Sequence, residues 1–333
     1  MLWGTMQRND ALWYAADGRV ELRAAAPPRA GAGQVVVRAA YSAISRGTER
    51  LVFRGRVPAS EHQRMRCPHQ DGGFPFPVKY GYALSGQIVD GDPARVGQNV
   101  FVLHPHQQFC AVAAADAHVI PSGVPLRRAT LAANAETALN VIWDAGLAPA
   151  DHVLVVGAGV LGLLIAAIAA RTAGTVVTVC DIDPARADVA RRFGARFAAP
   201  EAAPGNQDIV IHTSGSDQGL ALALRAAGVE AKVVEASWYG DRAPAVPLGE
   251  AFHSRRLQLI SSQVGAVPAS RRARWSNTRR LAAALTLLRD DAFDDLIATE
   301  IDFADAPSRL PAILGDRSPG LGAVLRYGDS QNV

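Results

Sequence analysis

Cysteine is scarce in this chain. Three occur in 333 residues, Cys67, Cys110 and Cys180, and they lie far apart. A disulfide framework and a four-cysteine zinc lobe are therefore not expected. An excess of one charge is also lacking. The 34 Lys and Arg against 31 Asp and Glu leave a formal net charge of +3, too small to point to nucleic acid as a partner. No internal repeat or low-complexity tract stands out. The opening stretch Met1–Arg8 has no apolar signal region, so a cytoplasmic protein is expected. Long apolar runs are few. Val153 to Ala170 is uncharged and about long enough to suggest a membrane span. Its three phased glycines, with β-branched residues only in its first part, fit strand, turn and helix better. No second such run exists, so no membrane partner is expected.

What is present is the composition of a globular protein, 49% apolar and 20% charged, in a chain long enough for two domains. The most informative run is Asp151-His-Val-Leu-Val-Val-Gly-Ala-Gly-Val-Leu-Gly162. It reads as a buried strand, a glycine turn and a helix start. Gly157, Gly159 and Gly162 fit G-x-G-x-x-G. One glycine makes the tight turn, one lets the backbone approach a pyrophosphate, and one lets helix pack closely on strand. The unpaired N–H groups around Val160 and Leu161 would then face the phosphates. Thr175 to Cys180 reads as the next parallel strand. It ends at Asp181, 24 positions after Gly157 (181 − 157). An acid there can accept hydrogen bonds from both ribose hydroxyls of an adenosine and repels a 2′-phosphate, which favours NAD(H) over NADP(H). Arg186, Arg191 and Arg192 downstream weigh slightly the other way. Asp181 could instead cap the helix that begins near Asp183-Pro184.

The first part of the chain is strand-rich: Arg19–Arg23, Gln34–Tyr41, Ala83–Asp90 and Gln98–Leu103. It suggests a small β-barrel-like domain. From about Arg127 the pattern changes to a helix over Thr130–Ala145, then strands alternating with helices through Leu257–Ser261. That alternation predicts a doubly wound parallel sheet, so the fold class is α/β with residues 127–265 as the dinucleotide-binding domain and 1–126 with 266–333 as the second domain. Arg271, Arg272, Arg274, Arg279 and Arg280 crowd the start of a late helix, either as a solvated face or as a site for an anionic substrate group. Leu321–Tyr327 looks like a closing strand.

This organisation resembles the medium-chain dehydrogenase/reductase superfamily, the alcohol-dehydrogenase-like proteins with a GroES-like barrel and a Rossmann domain. The likeness covers nearly the whole chain. Its markers are Gly31-Ala-Gly-Gln-Val-Val-Val-Arg38, Ser45-Arg-Gly-Thr-Glu49, Pro77-Val-Lys-Tyr-Gly-Tyr82 with Gly86, Ala94–Val100, Glu136-Thr-Ala138 and the glycine fingerprint. The resemblance implies an NAD(P)-linked oxidoreductase acting on a small-molecule carbonyl or alcohol, an active site in the cleft between domains, and a homodimer or larger assembly. The stretch Ser45 to Pro58 also resembles the matching stretch of bacteriochlorophyllide dehydrogenases, whereas Glu61 to Phe76 differs.

The departures from the family pattern concern zinc. Zinc-dependent members carry Cys-Gly-Thr-Asp where this chain has Arg46-Gly-Thr-Glu49, or Ser45 after a one-residue shift. Their Gly-His-Glu appears as Gly81-Tyr82-Ala83, and their third ligand falls near Ala133. Zinc needs about three nitrogen, sulfur or oxygen donors in defined geometry. No zinc is therefore expected, and Cys67, His69, His104 and His106 lack a standard ligand spacing. Without the metal a side-chain donor must stabilise the developing alkoxide. Tyr82 occupies a ligand position, and a phenol can donate a hydrogen bond or, with a lowered pKa, a proton. It could also simply pack at the domain interface. The resemblance places His104 at a substrate-pocket position, though it could be a rim histidine with a structural hydrogen bond. His106 could face the same way if the strand continues past Pro105. Thr48 matches a proton-relaying hydroxyl, and Glu49 is expected to pair with an arginine or orient another group. Arg46, Thr137 and Ser214 are expected beside the coenzyme. Two other activities stay open: reduction of a conjugated C=C bond in a quinone or enone, and dinucleotide binding without turnover, as a sensor or partner subunit.

Overall fold

The computed structural model describes residues 8–315 and 320–328. Most of the Met1–Arg8 stretch, read above for a signal region, lies outside the described residues. The chain divides into two compact units, Met1–Ala133 with Ile297–Val333, and Asn134–Leu296.

The first unit is built on two sheets. The longest strand, Gln34–Ile44, organises the larger one. Its first half pairs antiparallel with Phe109–Ala113 and its last residues with Gly322–Arg326, while Leu84–Asp90 runs along its other edge. Val35, Val36 and Val37 are all fully buried, so the run is continuously apolar rather than alternating. The smaller sheet joins Asp10–Ala16 to Arg19–Ala24 and to the two-residue strand Val78–Lys79. The Asp10–Ala16 strand carries no clear alternation, and sequence reading missed it. Helix α1 (Arg46–Phe53) follows the long strand directly, and its inward face buries Glu49, Val52 and Phe53. This puts the Ser45–Glu49 motif at a strand-to-helix corner.

The second unit opens on α2 (Ala132–Ala145), whose first two residues belong to the first unit. Six parallel strands follow: β1 (His152–Val156), β2 (Val176–Cys180), β3 (Arg196–Ala198), β4 (Gln207–His212), β5 (Ala227–Glu235) and β6 (Gln258–Ser261). Their spatial order is β3-β2-β1-β4-β5-β6, every neighbouring pair parallel. The order reverses between β1 and β4, and open α/β sheets bind ligands at the strand ends beside such a reversal. The apolar run Val153–Ala170 resolves into β1 and α3 (Val160–Ala169). Leu163, Leu164 and Ile165 are at most 1% exposed, and burial of each such side chain contributes about 1.5–3 kcal/mol. Among the described residues no helix is long and apolar enough to cross a membrane. On the sheet, α4 (Asp217–Ala226) packs Leu220, Ala223 and Leu224 against Leu154, Val210 and Val233.

The return to the first unit comes at Ile297 rather than at residue 266. The reason is α5 (Asn277–Leu287), which is held to α2 by one buried arginine. Arg280 is 1% exposed; its Nε donates to Glu136 Oε1 at 2.9 Å, and its Nη atoms donate to Asn140 Oδ1 and the Val264 carbonyl at 2.5 Å each. Burial pushes the Glu136 carboxyl up, and Arg280 offsets part of that rise. The other four arginines of the cluster are exposed. Arg279 lies over the Trp275 ring at 4.0 Å and Arg271 over Trp143 at 5.6 Å.

Candidate active site and dinucleotide site

In the first unit, the corner before α1 gathers hydroxyl groups. The Tyr82 phenol donates to Ser45 Oγ at 2.5 Å, and Thr48 also hydrogen-bonds it. Ser45 and Tyr82 stand at two of the three expected zinc-ligand positions, and the shifted alignment through Ser45 is the one that brings them together. The third position falls near Ala133, which is buried and whose methyl side chain offers no ligand atom. Zinc takes thiolate, imidazole or carboxylate ligands; two mutually bonded hydroxyls and a methyl group do not match that donor set. Among the described residues no group of three His, Cys, Asp or Glu is arranged to hold a metal ion. Burial pushes Tyr82 up to about 12, although the Ser45 and Thr48 hydrogen bonds pull the other way. The phenol is thus a protonated donor at neutral pH, not the acidified one considered from sequence.

Glu49 sits behind this group, completely buried, and its partners among the described residues are Ser45, Tyr14 and His106 rather than an arginine. Its Oε1 accepts the Ser45 backbone N–H at 2.7 Å, and its Oε2 accepts from the Tyr14 hydroxyl and from His106 Nε2 at 3.0 Å. His106 Nδ1 lies 2.7 Å from Ser42 Oγ, which in turn lies 2.8 Å from Tyr327 OH. Burial, then the Glu49 charge, raise Tyr14. Glu49 therefore orients the Ser45 corner. Gly81 is required here: its φ is +129°, and a Cβ would lie 2.8 Å from the His106 ring. Neither Tyr14 nor His106 was assigned such a role from sequence. A glutamate beside Thr48 hinted that a buried charge needed partners, but the partners are remote in sequence.

The strand Asn99–Val102 ends before His104 and His106, so strand alternation does not align them, and the two rings have different partners. His104 Nδ1 donates to the Pro105 carbonyl at 2.9 Å and its ring stacks on His69 with centroids 5.0 Å apart. Burial lowers His104 to about 3, so it is neutral at neutral pH with Nε2 as an acceptor. Cys67 is buried, and burial raises its thiol to about 12. Arg46 donates from Nη1 to the Gly320 and Leu321 carbonyls at 2.9 and 2.8 Å, tying α1 to the Gly322–Arg326 strand.

In the second unit, the residues at the end of β1 fit a dinucleotide. Gly157 has φ +111°, and a Cβ on it would lie 2.8 Å from Ser214 N. On Gly162 a Cβ would come within 1.9 Å of the Gly157 carbonyl oxygen. Gly159 is exposed with nothing near its missing Cβ, leaving room for a phosphate. The first α3 backbone bond runs from Leu163 N–H to Gly159 O at 2.9 Å, so the N–H groups of the preceding turn, including Val160 and Leu161, lack intrahelical partners. Asp181 ends β2. Its Oδ2 accepts from Ala158 N–H at 2.6 Å and its Oδ1 from Asp183 N–H at 2.9 Å, which aligns it with the glycine turn. Cap duty falls instead to Asp183, which accepts from Ala185 N–H. Both Asp181 oxygens keep further lone pairs for ribose hydroxyls. Beside it Ile182 is 87% exposed, an apolar face suited to an adenine that sequence reading did not single out. Arg186 is paired with Asp183 at 3.1 Å, and Arg191 and Arg192 with Asp188 and Asp295. Thr137 lies part-buried on α2, and Ser214 follows β4.

Comparison with known proteins agrees with this geometry. A family profile described as the C-terminal domain of alanine dehydrogenase/PNT matches residues 133–239. The chain is 26% identical over 307 residues to D-guloside 3-dehydrogenase of Escherichia coli K12, covering 83% of this chain and 87% of that protein. It is 31% identical over 211 residues to 2-desacetyl-2-hydroxyethyl bacteriochlorophyllide A dehydrogenase of Rhodobacter capsulatus, covering 57% and 60%. An alcohol dehydrogenase from E. coli CFT073, solved with NADH, superposes with a TM-score of 0.76 at 18% identity over 96% of this chain and 100% of that one. The two units are thus a GroES-like domain and a Rossmann domain. In sequence and fold the chain is similar to alcohol-dehydrogenase-like members of the medium-chain dehydrogenase/reductase superfamily.

Proposed function

We propose that this protein is a zinc-independent, NAD(H)-preferring oxidoreductase that exchanges a hydride with a small carbonyl or secondary-alcohol substrate. The observation that carries the reading is the Tyr82–Ser45 hydrogen bond of 2.5 Å at two positions where zinc-dependent relatives hold metal. A bound nicotinamide would supply or accept the hydride. The chain's own task is to manage charge on the substrate oxygen. In reduction, Tyr82 donates its hydrogen bond to that oxygen and then its proton, since an alkoxide is more basic than a phenolate of pKa about 12. Ser45 and Thr48, bonded to the phenol, are placed to return the proton. Glu49 keeps the corner fixed through the Ser45 N–H.

The NAD(H) preference rests on Asp181. A 2′-phosphate would meet its charge, and the three downstream arginines that could offset it are already paired with acids. The substrate class is supported by the relatives, which are named as dehydrogenases of a guloside and of a hydroxyethyl group.

The test is NADH oxidation across saturated ketones, enones and quinones. Turnover of saturated ketones supports the proposal. Turnover of enones alone would assign C=C reduction, and tight NADH binding without turnover would assign a binding protein.

A further inference from the structure

Ahead of α5 the chain gathers positive charge without acidic partners. Arg271, Arg272, Arg274 and Arg279 are exposed, and among the described residues none of them pairs with a carboxylate. Exposed arginines elsewhere have such partners: Arg19 pairs with Glu21, Arg64 with Glu61, Arg191 with Asp188 and Arg256 with Glu230. Inside the second unit Glu235 lies 2.7 Å from His212. Asp144, beside Trp143 in the chain, is taken by Ser262 Oγ at 2.7 Å and Asn140 Nδ2 at 3.1 Å. Without the four arginines the chain would hold 30 Lys and Arg (34 − 4) against 31 Asp and Glu, so its positive excess comes from this one segment.

The backbone holds this patch in place. The Arg271 and Arg272 N–H groups both donate to the Pro268 carbonyl at 2.9 Å, and Trp275 N–H donates to the Arg271 carbonyl at 3.1 Å. Ser276 Oγ accepts from Arg279 N–H at 3.1 Å and caps α5. Trp143 and Trp275 are half-buried, with ring centroids 4.8 Å apart. Arg271 covers the first ring and Arg279 the second, and Arg279 also donates to the Arg274 carbonyl at 2.6 Å. The Arg272 and Arg274 side chains have no partner among the described residues. The patch stands apart from the glycine turn and Asp181. Neighbouring strands are about 4.8 Å apart, so β6, which leads into the patch, lies about 14 Å from β1. Trp143 is near the end of α2, and the last carbonyl of that helix, Ala145, accepts from Lys232, three positions before the end of β5.

The chemistry of the surface selects among anionic partners. Arginine and tryptophan are both enriched at the energetic centres of protein–protein interfaces. Each Trp ring meets an arginine and the other ring, so neither offers an open face for a nucleobase to stack on. The exposed large apolar residues are Val96, Val119, Ile182, Val229 and Leu248, none of them in the patch, so a lipid surface finds no apolar anchor there. A second copy of this chain offers few free carboxylates, since Asp183, Asp188, Glu230, Asp290 and Asp295 already pair with arginines. An acidic segment of another protein supplies the missing charge, and a fixed cluster of cations attracts it from a distance.

We infer that this arginine–tryptophan surface docks an acidic segment of a partner protein, with Arg272 and Arg274 forming ion pairs and the two Trp rings as a rigid base. The test follows the fluorescence anisotropy of a labelled oligoglutamate peptide with the full-length protein at low salt. The patch variant is Arg271→Gln/Arg272→Gln/Arg274→Gln/Arg279→Gln. A matched variant, Arg19→Gln/Arg64→Gln/Arg191→Gln/Arg256→Gln, removes the same charge from exposed sites elsewhere. The expected Kd is about tenfold or more higher in the patch variant, since each exposed ion pair contributes up to about fivefold, and nearly unchanged in the matched one. Added salt is expected to weaken binding to the unaltered protein. If a melting curve shows the patch variant unfolded, Arg272→Gln/Arg274→Gln, which removes only side chains without partners, decides instead. Equal weakening in both variants would reduce the effect to net charge and overturn the inference. So would no binding, tighter binding of a DNA duplex or of phosphatidylserine vesicles, or self-association of the protein that is lost only in the patch variant.

Discussion

At the scale of single residues, the chemistry depends on where burial places protons. Tyr82 keeps its proton up to about pH 12, and this gives it a direction: it is ready to donate in reduction and must ionise before it can accept in oxidation. Carbonyl reduction is therefore expected to be flat across neutral pH, while alcohol oxidation rises as pH climbs toward 12. Tyr82→Phe keeps the ring and removes the proton; kcat for reduction is expected to fall about a hundredfold or more, with little change in thermal stability. Steady-state kinetics against pH, together with a melting curve, check both statements. His104 bears on stability. Its native pKa is about 3 against an ordinary 6.5. As pH falls below 6.5 the unfolded chain gains a proton that the folded chain refuses until about 3, so the native state loses about 2 kcal/mol by about pH 5. Urea denaturation at neutral pH and at about pH 5 should show a smaller acid loss in His104→Phe than in the unaltered protein. An identical loss in both would contradict it.

At the scale of elements, two close approaches hold the second unit's working parts. Gly162 lets α3 pack directly on the glycine turn, and any Cβ there collides with backbone rather than with a movable side chain. Gly162→Ala is expected to cost about 1–3 kcal/mol in unfolding free energy and to weaken NADH binding together with stability. Equilibrium denaturation and a binding titration check this. The second approach is the buried ion pair joining α5 to α2. Arg280→Met would leave Glu136 buried without its partner, at a cost of about 3–5 kcal/mol. Adding Glu136→Leu should recover most of that loss, since the pair is then replaced by apolar atoms. Chemical denaturation of the single and double variants tests the pair, and failure of the double variant to recover would show that the helix junction needs the charges themselves.

The elements also show what was legible in the sequence. The glycine fingerprint, the β2 strand followed by Asp181 and the alternating strands are local patterns, so they appear in the structure where the residues place them. The α5 junction was not legible, because a basic run looks the same whether its arginines face water or one of them crosses to a glutamate 144 positions away. The Glu49 cluster was hidden for the same reason. His106, Tyr14 and Ser45 meet around it only once two strands and α1 are folded. The pair His212–Glu235 lies on adjacent parallel strands, and only the register reveals that the two residues face each other.

At the scale of the whole molecule, the proposed function divides the work between the two units. In that proposal the Rossmann unit selects the coenzyme, and the hydroxyls and buried carboxylate of the GroES-like unit handle protons. Asp181→Ala, which removes the charge facing a 2′-phosphate, is expected to narrow the preference for NADH over NADPH by about tenfold or more, measured as the ratio of kcat/KM for the two coenzymes. The central claim is that Tyr82 with Ser45 and Thr48 does the work that zinc does in metal-dependent relatives. The most direct measurement is the zinc content of the purified protein, taken alongside its NADH-dependent ketone reduction before and after exhaustive chelation. The account predicts far less than one zinc per chain and a rate that chelation leaves unchanged. One zinc per chain, with activity lost on its removal and restored on its return, would contradict it.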